Sequence, residues 1–356
     1  MHALVTGGNG FLGRYIVEQL LARGDRVRSF GRSAQPELKS LGVEVVRGDI
    51  RDKHEITEAC RGIDCVFHTA ALAGIGMRWG DFYETNLVGT KNVLTGCRIH
   101  AVDRLVYTSS PSVVFQGADQ TGIDETTVYG IAWLAKHRCH YSHSKALAES
   151  AVLTASRCKD RVQPLIADSL SRTDWINACA LRPHLIWGPR DAHLIPRLIA
   201  RAKKGRLRQV GDGTNLVDMT YVENAARAHL QAADALIDAK SPVAGQAYFL
   251  SQGVPVNCWN WINDILELAE LPPVKKSVSL QTAWRIGSLC EQVFRLLRLG
   301  GEPPMTRFLA AQLATSHWFD ISAARRDFGY EPRIGTAEGM QRLWQWLSSE
   351  AAGAKR

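Results

Sequence analysis

Tyr141 and Lys145, in HYSHSKALAE (140–149), stand four residues apart. On a helix that spacing places them one turn apart on one face. A phenol with its ordinary pKa of about 10 is a poor acid/base near neutrality, and a neighbouring ammonium favours its phenolate. Such a pair can move a proton to or from a substrate oxygen. A hydroxyl that holds that oxygen would complete the set, and TSSPSVVF (108–115) offers Ser110, with Ser109 as the alternative. The carbon bearing the oxygen then needs a hydride acceptor or donor, which calls for a nicotinamide site elsewhere in the chain. A lone Tyr-x-x-x-Lys arises often by chance, so its weight depends on the residues that accompany it.

The chain opens on such a partner. TGGNGFLG (6–13) follows the apolar run Ala3–Leu4–Val5 and leads into a helical pattern. Gly7 permits a tight turn, Gly10 lets a pyrophosphate approach the backbone, and Gly13 lets the helix pack on the strand. Asn9, Phe11 and Leu12 complete the loop and first turn, whose free N–H groups face the anion. The plainer reading is a glycine-rich turn and nothing more. Selection between NAD and NADP falls at the end of the second strand, which reads Ser29–Phe30–Gly31–Arg32. No acid is there to take the ribose diol, and Gly31–Arg32 with Arg28 can meet a 2′-phosphate, so NADP is favoured over NAD. Asp49 and Ile50 are expected beside the adenine, although Asp49 also suits a helix N-cap. Ala70 and Ala71 are expected along the path to the nicotinamide.

These residues need a frame. Strand patterns at 2–6, 26–30, 43–48, 64–70 and 104–110 alternate with helical ones at 11–23, 53–62 and 81–99. Short β-runs alternating with amphipathic helices predict an α/β fold, a doubly wound parallel sheet of Rossmann type. Ligands of such sheets bind beyond the carboxyl ends of the strands, where strand order reverses. After residue 185 the alternation weakens. Residues 194–206 read as a basic helix, 218–224 as a helix cap, and 247–251 as a further strand returning to the sheet. The expected division is 1–184 plus about 214–252 for the dinucleotide-binding domain. A smaller, mostly helical substrate domain takes about 185–213 and 253–345, and a tail takes 346–356.

Composition excludes several classes. The 356 residues are 46% hydrophobic and 22% charged, as expected of a globular protein with a large core. The net charge of +8 comes from dispersed basic residues with no nucleic-acid reading motif, so nucleic acid is not an expected partner. Eight cysteines occur singly, without a CxxC pair, and the N-terminus shows no signal segment, so a reducing cytoplasm is expected. His137, Cys139, His140 and His143 crowd together, yet no carboxylate completes a shell, and no metal is expected. In 284–299, Ile286, Leu289, Cys290, Val293, Leu296 and Leu297 form one stripe. It packs on its own domain or touches a membrane surface peripherally.

With these motifs in hand, the chain resembles the extended short-chain dehydrogenases/reductases, in their 3β-hydroxysteroid dehydrogenase branch. TGGNGFLG, GDIRD (48–52), VFHTAA (66–71), NLVGTKNVL (86–94), YTSSPSVVFQG (107–117), YSHSKALAE (141–149), LRPHLIWGPRD (181–191) and DMTYVENAARAH (218–229) fit it in order. The nearest subgroups are sterol-4α-carboxylate 3-dehydrogenases and bacterial 2-alkyl-3-oxoalkanoate reductases. The resemblance implies that Ser110 holds the substrate oxygen, Tyr141 is the acid/base, and Lys145 supports it and the nicotinamide ribose. It implies that Pro183 borders the nicotinamide amide. It also implies that Asn86 shapes the active-site helix or its relay water, a structural hydrogen bond being the alternative. A hydrophobic small-molecule substrate and a homodimer follow by analogy. A nucleotide-sugar epimerase or dehydratase remains the rival enzyme, and a dinucleotide sensor the rival without catalysis. The segment 157–180 is longer than the family pattern.

Overall fold

The computed structural model describes residues 1–74, 78–156, 176–238, 240–297, 299 and 301–353. Seven parallel strands form the central sheet: β1 (His2–Thr6), β2 (Arg26–Gly31), β3 (Glu44–Arg47), β4 (Cys65–His68), β5 (Arg104–Thr108), β6 (Asn177–Pro183) and β7 (Ala247–Leu250). Their order is β7-β6-β5-β4-β1-β2-β3, so the direction of winding reverses between β1 and β4. Side chains alternate between two cores, as strand geometry requires. Ala3, Val5, Phe67 and Val106 enter one, while Leu4, Val66, Leu105 and Tyr107 enter the other.

Helices close both faces. The helices include α1 (Phe11–Ala22), α2 (Lys53–Ala59), α3 (Gly89–Ile99), α4 (Ile131–Lys136), α5 (His140–Thr154), α6 (Leu194–Lys203), α7 (Val222–Ala235), α8 (Leu280–Leu296) and α9 (Arg307–Ala314). Leu12, Ile16 and Leu20 of α1 pack with Val222, Ala225 and Ala233 of α7 on the first face. Ile56 of α2, Val93 and Leu94 of α3, and Val152 of α5 cover the second. The helix expected at 81–99 is interrupted. A short turn at Trp79–Phe82 and a π-helical turn at Tyr83–Val88 precede α3. Such turns shift the helical register by one residue and are frequent at functional sites.

The second half builds a separate core around Trp187, Tyr221 and Trp261, with ring centroids 5.3 and 5.7 Å from that of Trp187. A four-stranded sheet joins it to the first half in the order Val256–Asn257, Leu216–Val217, His317–Phe319, Gln120–Ile123. Phe319, Phe328 and Tyr330 pack back into the first core with Tyr248 and Phe249. The expected cap at 218–224 is not a cap. Helix α7 begins at Val222 with Tyr221 at its N-cap and no side-chain cap. Asn224 instead crosses to Gln252 and to the backbone of Arg333 and Ile334. Most of the long 157–180 segment lies outside the described residues.

Asp218 marks the seam between the central sheet and the smaller one. Its carboxylate accepts from the Phe319 N–H at 2.8 Å, and its carbonyl accepts from His184 Nδ1 at 2.6 Å. Burial pushes its pKa up to about 6. A folded-state value above the unfolded one means that the native chain binds the proton more tightly. Stability from this group is therefore full below about pH 4 and lost as pH rises through 6. Asp218→Asn should raise stability by roughly 2–3 kcal/mol at pH 8 and leave it little changed at pH 4, read by denaturant unfolding at both.

The glycine turn gives a second test. A Cβ on Gly13 would lie 2.2 Å from the Gly7 carbonyl oxygen, whereas one on Gly80 would meet nothing within 4 Å. Gly13→Ala should cost about 1–3 kcal/mol by overpacking, and Gly80→Ala should be neutral or slightly stabilising, in thermal unfolding of each.

Candidate active site

Three strand ends meet where the winding reverses. Gly7 follows β1 with φ +72°, a conformation that favours glycine, and its N–H donates to the Phe30 carbonyl at 2.9 Å. A Cβ there would stand 3.0 Å from the Ala70 backbone, so the turn lies directly against the segment after β4. Gly10 is the N-cap of α1, which has no capping side chain and no acid in its first turn. The first N–H groups, over Phe11, Leu12 and Gly13, are left for a ligand. Asn9 and Gly10 are exposed at the rim, and Ala70 and Ala71 are half-buried opposite. Gly8 escaped the sequence reading. A Cβ on it would come within 2.4 Å of Ser29 Oγ, so this glycine admits the close approach of β2. The cradle fits a dinucleotide pyrophosphate.

The edge near β2 and β3 is more selective. Arg28 does not face it: the guanidinium pairs with Glu44 at 2.9 Å and donates to the carbonyls of Ala59 and Arg61. The expectation that Arg28 meets a 2′-phosphate is therefore corrected. Register explains it, because Arg28 pairs with Leu4 in mid-strand, well short of the carboxyl end. Arg32 is exposed just past Gly31, without a hydrogen bond or ion pair among the described residues for its guanidinium. Asp49 is held below the usual carboxylate range by Arg51, whose Nη2 lies 2.6 Å away. It does not cap α2. Asp52 does, accepting from the N–H groups of His54 and Glu55. Ile50 is buried against Gly89.

The proton-handling residues gather at the end of β5. Ser110 Oγ caps the turn Pro111–Val114, lies 2.9 Å from Ser112 Oγ and faces the Tyr141 hydroxyl closely enough to lower its pKa. Ser109 is buried on the Glu149 side, where its hydroxyl completes no hydrogen bond among the described residues, and its N–H donates to the Leu181 carbonyl at 2.6 Å. Strand alternation thus brings Ser110, and not Ser109, to the tyrosine. Burial pushes the Tyr141 phenol up to about 12, against the lowering effect of Ser110. Lys145 is 2% exposed and its pKa is lowered by burial to about 7. Its described partners are the Thr108 carbonyl at 2.6 Å and the Tyr107 ring at 4.0 Å, rather than the Tyr141 hydroxyl.

The support around these groups was not visible in the sequence. Glu149, one turn beyond Lys145, raises the lysine's pKa in part. It accepts from Arg182 Nη2 at 2.6 Å and from Tyr129 Oη at 2.8 Å, all within the core. Pro183, next in β6, is buried beside it. His229 Nδ1 donates to the Ala225 carbonyl at 2.7 Å, which leaves Nε2 to accept from Thr108 Oγ1 at 2.8 Å. Burial keeps this imidazole neutral, its pKa lowered to about 4. Asn86 is saturated: Oδ1 accepts from Leu72 N–H, and Nδ2 donates to the Leu72 carbonyl and to Ser144 Oγ. Ser144 Oγ in turn donates to the Tyr141 carbonyl, so Asn86 ties the segment after β4 to the start of α5.

The crowded histidines have aromatic partners. His137 stacks on Trp133 at 4.2 Å, and His143 stacks on Trp79 at 4.6 Å. Phe115 meets Trp133 edge-on at 5.2 Å, and Trp284 of α8 meets His137 at 5.6 Å. A chain of ring contacts therefore runs from Phe115, at the end of the turn that Ser110 caps, through Trp133 and His137 to Trp284 in the second half.

Known proteins resemble this chain in sequence and in fold. The 2-alkyl-3-oxoalkanoate reductase of Stenotrophomonas maltophilia is 44% identical over 346 residues, covering 96% of this chain and 98% of that one. The human sterol-4-alpha-carboxylate 3-dehydrogenase, decarboxylating, is 32% identical over 344 residues, covering 96% and 87%. Among solved structures, the Thermus thermophilus UDP-glucose 4-epimerase complexed with NAD superposes with a TM-score of 0.69 at 23% identity, covering 98% of this chain and 99% of that one. A dTDP-glucose 4,6-dehydratase of Streptomyces venezuelae does so at 0.72 and 22%, covering 99% and 98%; these two show the fold. The sequence pattern of one family matches residues 4–280, and the chain belongs to that family, the 3-beta hydroxysteroid dehydrogenase/isomerase family of NAD(P)-dependent oxidoreductases.

Proposed function

We propose that this oxidoreductase interconverts a secondary alcohol and a ketone on an apolar 3-hydroxy/3-keto substrate. The observation that carries the reading is the placement of Ser110 before the Tyr141 phenol, with Lys145 buried beside them, at the carboxyl end of β5 and next to the glycine cradle. A nicotinamide cofactor bound in that cradle supplies or accepts the hydride. Ser110 Oγ holds the substrate oxygen. The Tyr141 phenol, protonated at neutral pH, gives its proton to that oxygen in the reductive direction and takes it back in the oxidative one. Lys145 has one N–H on Thr108, which leaves two for a ribose and for biasing the phenol. The half-buried rings of Trp133 and Trp284 favour an apolar substrate body. The relative at 44% identity supports a 2-alkyl-3-oxoalkanoate over a 3β-hydroxysterol.

Oxidation of NADPH at 340 nm with a 2-alkyl-3-oxoalkanoate tests the substrate. Tyr141→Phe should lower kcat by roughly 100- to 10,000-fold while cofactor binding, read by fluorescence titration, persists. Full activity in that variant would overturn the assignment. Turnover of a 3β-hydroxysterol alone would move the substrate to the sterol class.

NADP is the favoured cofactor, through Arg32 with Gly31. Arg32→Ala should lower kcat/KM for NADPH by about 10- to 100-fold and leave that for NADH nearly unchanged. Equal loss with both would remove Arg32 as the selector.

A further inference from the structure

Helix α8 is built the wrong way round for a helix that serves only its own core. The residues it turns inward are the small ones, Ala283 and Gly287. A Cβ on Gly287 would lie 2.5 Å from the Thr306 carbonyl carbon, so the helix is seated tightly on the residues that begin α9. The large apolar side chains are left outside. Ile286 is 46% exposed, Leu289 62%, Val293 38% and Leu296 82%, and Leu297 and Leu299 extend the row. Their spacing of three, four and three makes a single stripe about three turns long. Contiguous exposed apolar surface of this kind marks an interaction site.

Charge indicates what covers it. Between residues 275 and 299 the sequence has Lys275, Lys276, Arg285, Arg295 and Arg298 against one acid, Glu291. That acid is engaged by Arg307, through its N–H and Nε, both at 2.8 Å. Lys275, Lys276, Arg285 and Arg295 are exposed. The strand Ser277–Val278 pairs with Gln209–Val210, which brings the basic end of the α6 segment alongside. From α6, Arg197 and Arg201 reach Glu302 and the Pro304 carbonyl in the α8–α9 connection, with Lys203 and Lys204 exposed beyond them. An apolar stripe within a basic surround complements an anionic lipid surface. No described helix is long and apolar enough to cross a bilayer, and α8, with its charges, suits the interfacial plane.

We propose that α8 seats the protein on anionic bilayers, so that an apolar substrate reaches the site along the partly exposed rings of Trp284, His137 and Trp133. Only the route rests on the proposed function, because docking itself is read without substrate.

The test is co-sedimentation of the full-length protein with vesicles of phosphatidylcholine alone or with added phosphatidylglycerol, at low and high salt. Wild type should bind the anionic vesicles, and salt should weaken the binding. Leu289→Asp/Leu296→Asp should weaken it by roughly 30-fold or more. Arg285→Gln/Arg295→Gln should weaken it by about 25-fold, at about fivefold for each charge. All four side chains are exposed, so the melting temperature and turnover of a short water-soluble ketone should match wild type. Wild type that ignores anionic vesicles, or aspartate variants that bind as well as wild type, would overturn the proposal. So would a wild-type dimer that the aspartate variants split into monomers without any vesicle binding, because a second copy would then cover the stripe.

Discussion

Lys145 carries an ammonium into the protein interior, and much of the surrounding structure follows from making that tolerable. A buried lysine loses its hydration and tends to shed its proton. Here the Thr108 carbonyl, the Tyr107 ring and the nearby Glu149 carboxylate hold it in place. Each of these needs support of its own. Glu149 is a second buried charge, which Arg182 matches from β6, and breaking such a pair costs about 3–5 kcal/mol because the remaining charge stays desolvated. Thr108 is fixed through its hydroxyl by His229, whose tautomer is set by the Ala225 carbonyl. One lysine thus ties α5, β5, β6 and α7 into a single polar network.

The cofactor side is organised by the absence of side chains. At the reversal between β1 and β4 the backbone of Gly7 lies against Ala70, α1 begins over the Gly7 carbonyl, and β2 approaches Gly8. A Cβ would clash at Gly13 and Gly8, and at Gly7 it would be tight and strained by the positive φ. The result is a set of unpaired N–H groups at a helix start with no side chain competing for them. On the neighbouring edge, Asp52 caps α2, Arg51 neutralises Asp49, and Arg32 is exposed without an ion pair of its own among the described residues.

The second half reverses the usual economy of burial. Trp187, Tyr221 and Trp261 fill its core, and α8 docks through alanine and glycine with its leucines outside. The ring contacts from Trp284 to Phe115 connect that outer helix to the turn that the proton-handling serine caps. Asp218, His184 and His317 sit at the seam between the two cores, with the His184 and His317 rings 4.8 Å apart. The seam is therefore polar and sensitive to protonation, while the bodies it joins are apolar.

How much of this was legible in the sequence depended on the range over which each feature acts. Local features could be read directly. The glycine turn, the strand–helix alternation of the first half and the Tyr141–Lys145 spacing depend on residues within one or two turns of each other. Features that join distant segments could not. Arg28 looked available for a phosphate until strand register placed it in mid-strand beside Glu44. The sequence offered Ser110 with Ser109 as the alternative, and strand alternation sets Ser110 toward Tyr141 and Ser109 toward Glu149. Asp218 read as a helix cap until Phe319, a hundred residues later, took its carboxylate. The stripe on α8 was clear from its period, but period does not say which face docks; only the packing of Gly287 against Thr306 turned the leucines outward. Residue type and spacing determined which chemistry was available. The tertiary structure decided which groups meet, because burial and pairing are properties of a surface and its complement, and the complement lies elsewhere in the chain.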